Sequence, residues 1–286
     1  MGIMIGHEKI IADLKSLHEH GELSHGYIFF GPAMVGKRTA AREFATFLEK
    51  GKFESNESGE NVILSDMMLI EPGENGSIGI DAVREIRNFL WQKPNASSRR
   101  TLIINDAELL TTEAQNALLK ITEEPPASSL LILVTSDAEA ILPTITSRLP
   151  KIYFGTMPEK EIEKWLASLA AETKTKKANS PEVAKKYFGK PGLAWRLLHD
   201  KDFQKQLELA EKLLKTPAAT RRDLIKKIIE PDEFSFRKFL DAVIMTLAWQ
   251  GATKQKIALW HKALALYDRE SNFSLNPRLQ MEALLA

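Results

Sequence analysis

Apolar and polar positions fall into two regimes along the chain. As far as Pro150, short uninterrupted apolar runs alternate with stretches in which apolar residues recur every three or four positions. Beyond Phe154 only the second spacing continues. Runs of four or five apolar residues bounded by turn residues mark strands buried on both faces, whereas spacing at i, i+3 and i+4 marks one face of a helix. Strands are therefore predicted over 27–30, 101–104 and 130–134, and the 63–70 segment returns the chain to the same sheet. Helices are predicted with Ile10, Ile11, Leu14 and Leu17 on one face, from the loop ending at Thr39 through Phe47, from Ile80 through Trp91, and from Leu109 to Ile121. The last stops at Pro125-Pro126, where a missing donor and a ring clash forbid continuation. Strand and helix in alternation predict an α/β fold on a parallel sheet.

The second half reads differently. Short helices are predicted over 159–169, 180–188 and 192–198, with the Lys174-Thr175-Lys176-Lys177 turn between the first two. Longer ones follow over 203–214, 221–229, 234–249, 254–273 and 277–285. Apolar faces carrying Phe236, Phe239, Leu240, Val243, Ile244 and Leu247, and Leu264, Leu266 and Tyr267, predict a helical bundle. A bundle core alone would produce the same stripes, so periodicity does not establish assembly. The polar, glycine-containing 49–60 segment reads as a flexible surface connection, and 71–76 as a turn.

Composition narrows this picture. A chain of 286 residues holds two or three domains. Its 44% apolar and 27% charged residues are ordinary for a globular protein. With no cysteine there is no disulfide framework and no thiolate zinc site, which fits an intracellular setting. The first residues carry no secretory pattern and no apolar run reaches the length of a membrane span, so a cytoplasmic protein is expected. A net charge of +1 gives no global field to attract nucleic acid. Arg99-Arg100 reads as a solvated charge pair.

Chemistry concentrates at the ends of the predicted strands, where ligands of parallel sheets gather. The 27–30 strand runs into Gly31-Pro32-Ala33-Met34-Val35-Gly36-Lys37-Arg38-Thr39 and then a helix. That context suits a phosphate-binding loop: amides and a helix N-terminus converge on one spot, and Lys37 adds a cation. The position after the lysine, where a hydroxyl would ligate magnesium, holds Arg38. Thr39 comes one residue late, which on a helix turns its side chain by about 100°. At the tip of the 101–104 strand, Asn105 stands where a metal-orienting aspartate is expected, followed by Asp106. Arg38 still offers charge to phosphates, so binding is expected to survive better than metal-assisted hydrolysis.

Four stretches carry a family resemblance: 24–32 with its loop, the Asn116-Ala117-Leu118-Leu119-Lys120-Ile121-Thr122-Glu123-Glu124-Pro125-Pro126 helix, Ile145-Thr146-Ser147-Arg148, and the tail from Asn276 to Leu285. With these the chain resembles the bacterial DNA polymerase III clamp-loader subunits of the AAA+ superfamily. The altered magnesium positions resemble the delta-prime branch rather than the ATP-hydrolysing tau/gamma motors, although Lys37, Asp106 and Thr39 keep the motor alternative open. The resemblance implies an AAA+ nucleotide-binding domain over 1–155, a helical lid over 156–200 and an all-α collar over 201–286 that joins subunits. It implies that Gly31, Gly36, Lys37, Arg38, Thr39, Asp106 and Thr135 surround ATP or ADP, with magnesium left open and no zinc. Thr135 falls at the family's sensor position, and Arg148 at that of an arginine finger reaching a neighbour's ATP. Leu149 replaces the cysteine of the family's Ser-Arg-Cys signature, and the lid's sensing arginine is expected where Trp195 stands, with Arg196 one residue later. The implied partners are tau/gamma and delta subunits and, through the complex, the sliding clamp and primed DNA, with no membrane.

Overall fold

Short apolar runs with β-branched residues and leucines pair into one sheet because, buried on both faces, they have no other partner for their backbone groups. The computed structural model describes residues 5–52, 63–73, 76–173, 187–231, 234–250, 253–272 and 276–285. It divides into two compact units, Met1–Ala194 and Trp195–Ala286. The first contains α1 (Glu8–Glu19), β1 (Gly26–Phe30), α2 (Lys37–Lys50), β2 (Met67–Ile70), α3 (Ile80–Leu90), β3 (Arg100–Ile104), α4 (Thr112–Glu123), β4 (Ser129–Thr135), α5 (Pro143–Thr146), β5 (Lys151–Tyr153) and α6 (Glu159–Thr173). The strands form one parallel sheet in the order β2-β3-β4-β1-β5.

Alternate residues of each strand feed opposite layers. Phe29, Ile103, Ile132 and Val134 pack with Leu14 of α1 and Phe44 and Leu48 of α2. Ile28, Leu102, Ile104, Leu131 and Leu133 pack with Val83, Ile86 and Leu90 of α3 and Leu118 and Ile121 of α4. The sheet is thus covered by helices on both faces. In the second unit, helices Lys201–Lys215, Ala218–Ile229, Phe236–Trp249, Lys254–Asn272 and Pro277–Leu284 enclose Leu213, Ile225, Phe239, Leu240, Val243, Ala263 and Met281. Three of them start at a polar cap, Asp200, Ser235 or Asn276, whose side chain accepts a first-turn amide. Among the described residues no helix is long and apolar enough to cross a membrane.

Several elements differ from the sequence expectation. Strand β2 begins at Met67, because the amides of Ser65 and Asp66 donate to the Glu49 carboxylate and tie this segment to the end of α2. The helix expected from Leu109 begins at Thr112; Leu109 closes a separate one-turn helix, Ala107–Leu109, and the Thr111 hydroxyl caps α4 by accepting from the Ala114 amide. Strand β5 is three residues long, too short for its alternation to signal a strand. Most of the 49–60 connection, the Lys174–177 turn and residues 180–186 of the expected 180–188 helix lie outside the described residues, and its last two, Tyr187 and Phe188, lie in a turn, with Phe188 at φ 49°.

Arg99 and Arg100 are not a solvated pair. Arg99 donates to the carbonyls of Leu23, Ser24 and Ser129. Arg100 donates twice to the Lys93 carbonyl, lies over the Phe89 ring and is 11% exposed, 3.9 Å from Asp66. Asp66 is the polar counterpart: only 2% exposed, it accepts the amides of Asn95, Ala96 and Ser97 at 2.6–2.9 Å. Burial would raise its carboxyl pKa, but these amides outweigh that and hold it below the ordinary 3.8. Asp66→Ala, which strands three amides, is expected to destabilise the first unit by about 3 kcal/mol in urea unfolding. A depressed folded pKa stabilises above the ordinary value and loses that contribution as pH falls through the folded one. The acid limb of a stability–pH curve should therefore be shallower in Asp66→Asn.

Candidate nucleotide site

Parallel pairing sets Phe30 beside Thr135 and Ile104 beside Leu133, so the loops leaving β1, β3 and β4 emerge at one edge of the sheet. The loop after β1 turns on glycines. Gly31 sits at φ 135°, where an added Cβ would lie 2.2 Å from the Phe154 carbonyl oxygen, and Gly36 at φ 108°. Met34, also left-handed at φ 65°, accepts from the Gly192 amide at 2.9 Å. His7 Nε2 donates to the Val35 carbonyl at 3.1 Å. The loop is thereby held from His7 and from Gly192, both of the first unit. Its glycines and the first-turn amides of α2, which a helix leaves without internal partners, form a cradle for an anion.

Lys37 points back into this loop. It is 6% exposed and donates to the carbonyls of Gly31 at 2.6 Å and Pro32 at 2.7 Å. An ammonium carries three donors, so one is left for a phosphate oxygen. Burial pulls its pKa down to about 8, against the opposing pull of Glu108 and Asp106, and Lys190 adds to the depression. Arg38, in the first turn of α2, turns to the tip of β2 and grips Glu71 with both terminal nitrogens, at 2.7 and 3.1 Å. Its Nε is buried without a partner.

The β3 tip is acidic and crowded. Asp106 adopts φ 52° and accepts from the Asn105 amide at 3.0 Å. Burial, then Glu108 and Glu71, push its carboxyl pKa up, with Lys37 and Arg38 in partial opposition. Glu108 accepts from the Ser136 amide at 3.1 Å and from its hydroxyl, joining the β3 and β4 tips. Thr135 is 1% exposed and spends its hydroxyl on the Asp137 carbonyl at 2.7 Å, inside the turn that follows β4.

The structure therefore brings Gly31, Gly36, Lys37, Arg38 and Asp106 to one edge and commits the Thr135 hydroxyl to its own turn. Glu71 and Glu108 complete the charge cluster. The signal for Glu71 was present, since it follows an apolar run as Asp106 does, but its pairing with Arg38 joins positions 33 residues apart. These residues fit a phosphate group. They do not fit a magnesium shell, which needs hard oxygens in octahedral order: the hydroxyl position is a cation and the carboxylate position an amide. Among the described residues no group of three or more His, Cys, Asp or Glu is arranged to hold a metal ion.

Arg148 lies elsewhere on the first unit. Ile145 and Leu149, both buried, anchor the turn that carries it. The side chain is 36% exposed, and its guanidinium donates to the Thr144 carbonyl at 2.5 Å and to Glu123 at 2.9 Å. Gln115 braces the approach to this turn, accepting from the Leu142 amide and donating to the Leu110 and Ala140 carbonyls. Arg196 belongs to the second unit, over the Phe203 ring at 4.0 Å and ion-paired with Asp200 and Asp241.

A glycine-bounded loop between the first strand and helix of a parallel sheet, with a buried lysine and an acidic neighbouring tip, defines a phosphate-loop α/β protein of the AAA+ kind. Residues 6–158, just over half of the chain, match the family described as DNA polymerase III, delta subunit, and the chain belongs to this family of clamp-loader AAA+ proteins. It is 32% identical over 181 residues to the DNA polymerase III subunit gamma/tau of Mycobacterium tuberculosis, covering 59% of this chain and 31% of that protein. It is 32% identical over 135 residues to the DNA polymerase III subunit delta' of Pseudomonas aeruginosa, covering 44% and 41%. The chain thus spans less than half the length of either relative. In fold it is similar to a DNA polymerase III gamma subunit-related protein of Thermotoga maritima, with a TM-score of 0.65 at 21% identity over 95% of this chain and 97% of that one.

The buried lysine gives a direct test. In a lysine side-chain NMR titration one resonance should move with a midpoint near 8, far below the ordinary 10.5. That resonance should be missing in Lys37→Met.

Proposed function

We propose that this chain is a delta-prime-like subunit of a bacterial clamp loader, helping to place the sliding clamp on primed DNA. In this role it joins tau/gamma and delta subunits through residues 201–286 as a collar, with 156–200 as a lid, in the cytoplasm. Its chemical contribution is Arg148, offered in trans to the ATP of a neighbouring subunit. A guanidinium opposite transferring phosphate stabilises the charge that spreads over its oxygens. The observation that carries this reading is the setting of Arg148: a fixed base of two buried side chains, an exposed cation, and a carboxylate partner, Glu123, that is itself 49% exposed. A surface pair of this kind costs little to exchange for a phosphate.

The motor reading draws on the similarity to gamma/tau proteins. Against it stand Arg38 and Asn105 at the two positions that would handle magnesium. An ATPase assay on the isolated chain separates the readings, and robust hydrolysis favours the motor. The finger role predicts that Arg148→Ala in a reconstituted complex leaves assembly intact. The DNA-stimulated ATPase of the partner should then fall on the order of 10³-fold at the affected site. An unchanged rate in an assembled complex would remove the assignment.

A further inference from the structure

We infer that the loop over 31–37 binds nucleotide phosphates without magnesium, with the guanidinium of Arg38 as the built-in counter-cation. This rests on the reading of the loop as a phosphate site and is independent of the role of Arg148. Phosphate-loop proteins commonly neutralise their ligand with a lysine and a divalent ion held by a hydroxyl and a strand-tip carboxylate. Here the hydroxyl position carries a cation of its own. Arg38 is anchored on Glu71 at the β2 tip, its field reaches Asp106 at the β3 tip, and its side chain is 32% exposed. A second cation brought to this place would meet the guanidinium at short range, and Asn105 offers an amide where the ion needs a charged oxygen.

The same features suit an anion. Two ends of the guanidinium hold Glu71, while the buried Nε has no partner. The terminal nitrogens already hold an acidic group, and a phosphate oxygen offers them the same charge-assisted acceptor. The planar fork of arginine matches phosphate geometry as it matches carboxylate. Glu71 holds the side chain at the tip until a ligand arrives, and Lys37 supplies the second positive charge from inside the loop. Two fixed cations therefore stand where other phosphate loops use one cation and a metal.

The test is fluorescent ADP and ATP binding to the full chain, in excess EDTA and then in excess magnesium. The wild type should bind equally within about threefold in both, a difference well under 1.4 kcal/mol. Arg38→Ser, checked for an unchanged melting curve, should lose about tenfold or more of its affinity in EDTA and regain part of it with magnesium. Glu71→Gln, which frees the guanidinium, should bind more tightly in EDTA and serves if Arg38→Ser does not fold. Wild-type binding that requires magnesium overturns the inference and leaves the phosphate loop standing. No binding in either solution overturns both. Arg38→Ser or Glu71→Gln indistinguishable from wild type in EDTA overturns the role of Arg38 alone.

Discussion

Register between buried parallel strands leaves no freedom at their ends, and this governs the rest of the molecule. Because Phe30 is partnered with Thr135 and Ile104 with Leu133, the loops that follow must leave the sheet side by side. A one-residue slip would turn Phe29 and Ile28 to the wrong layers, so the layers of apolar side chains lock the register. Chemistry at the edge inherits this precision. Glu108 can reach Ser136 only because their strands are neighbours, and Gly31 is compelled to lack a side chain by the Phe154 carbonyl alongside it.

The charges at this edge are mutually dependent. Lys37 would be expensive to bury alone, and it is held there by two loop carbonyls and by the fields of Glu108 and Asp106. Asp106, crowded by Glu108 and Glu71, is eased by Lys37 and Arg38 in turn. Arg38 stands where a magnesium-handling phosphate loop carries a hydroxyl. It pairs with Glu71, so the cluster carries a guanidinium beside its carboxylates as well as the Lys37 ammonium.

Arg148 shows a different solution, buried side chains beneath and an exposed ion pair above. The buried Leu149 fills the space next to Gly26, where a Cβ would approach it to 2.8 Å, while its neighbour in sequence faces outward. Leu149 is a packing position, set by the apolar volume it fills. The polar bracing from Gln115 fixes the same turn from behind.

Local patterns determined a good deal by themselves. The strand, glycine loop and helix from Gly26 to Lys50 could be read directly, because backbone period, glycine freedom and the lysine are all encoded within a few neighbouring positions. So were the two departures from a magnesium site, Arg38 and Asn105, and the change to an all-helical second unit. Tertiary structure alone decided what those residues touch. That Arg38 meets Glu71, that Arg99 and Arg100 serve the interior rather than solvent, that Thr135 turns to Asp137, and that Arg148 stays at the surface all follow from which strand tips and turns become neighbours. Periodicity fixes the face of an element but carries no information about the order β2-β3-β4-β1-β5, which arises from the packing of every layer at once.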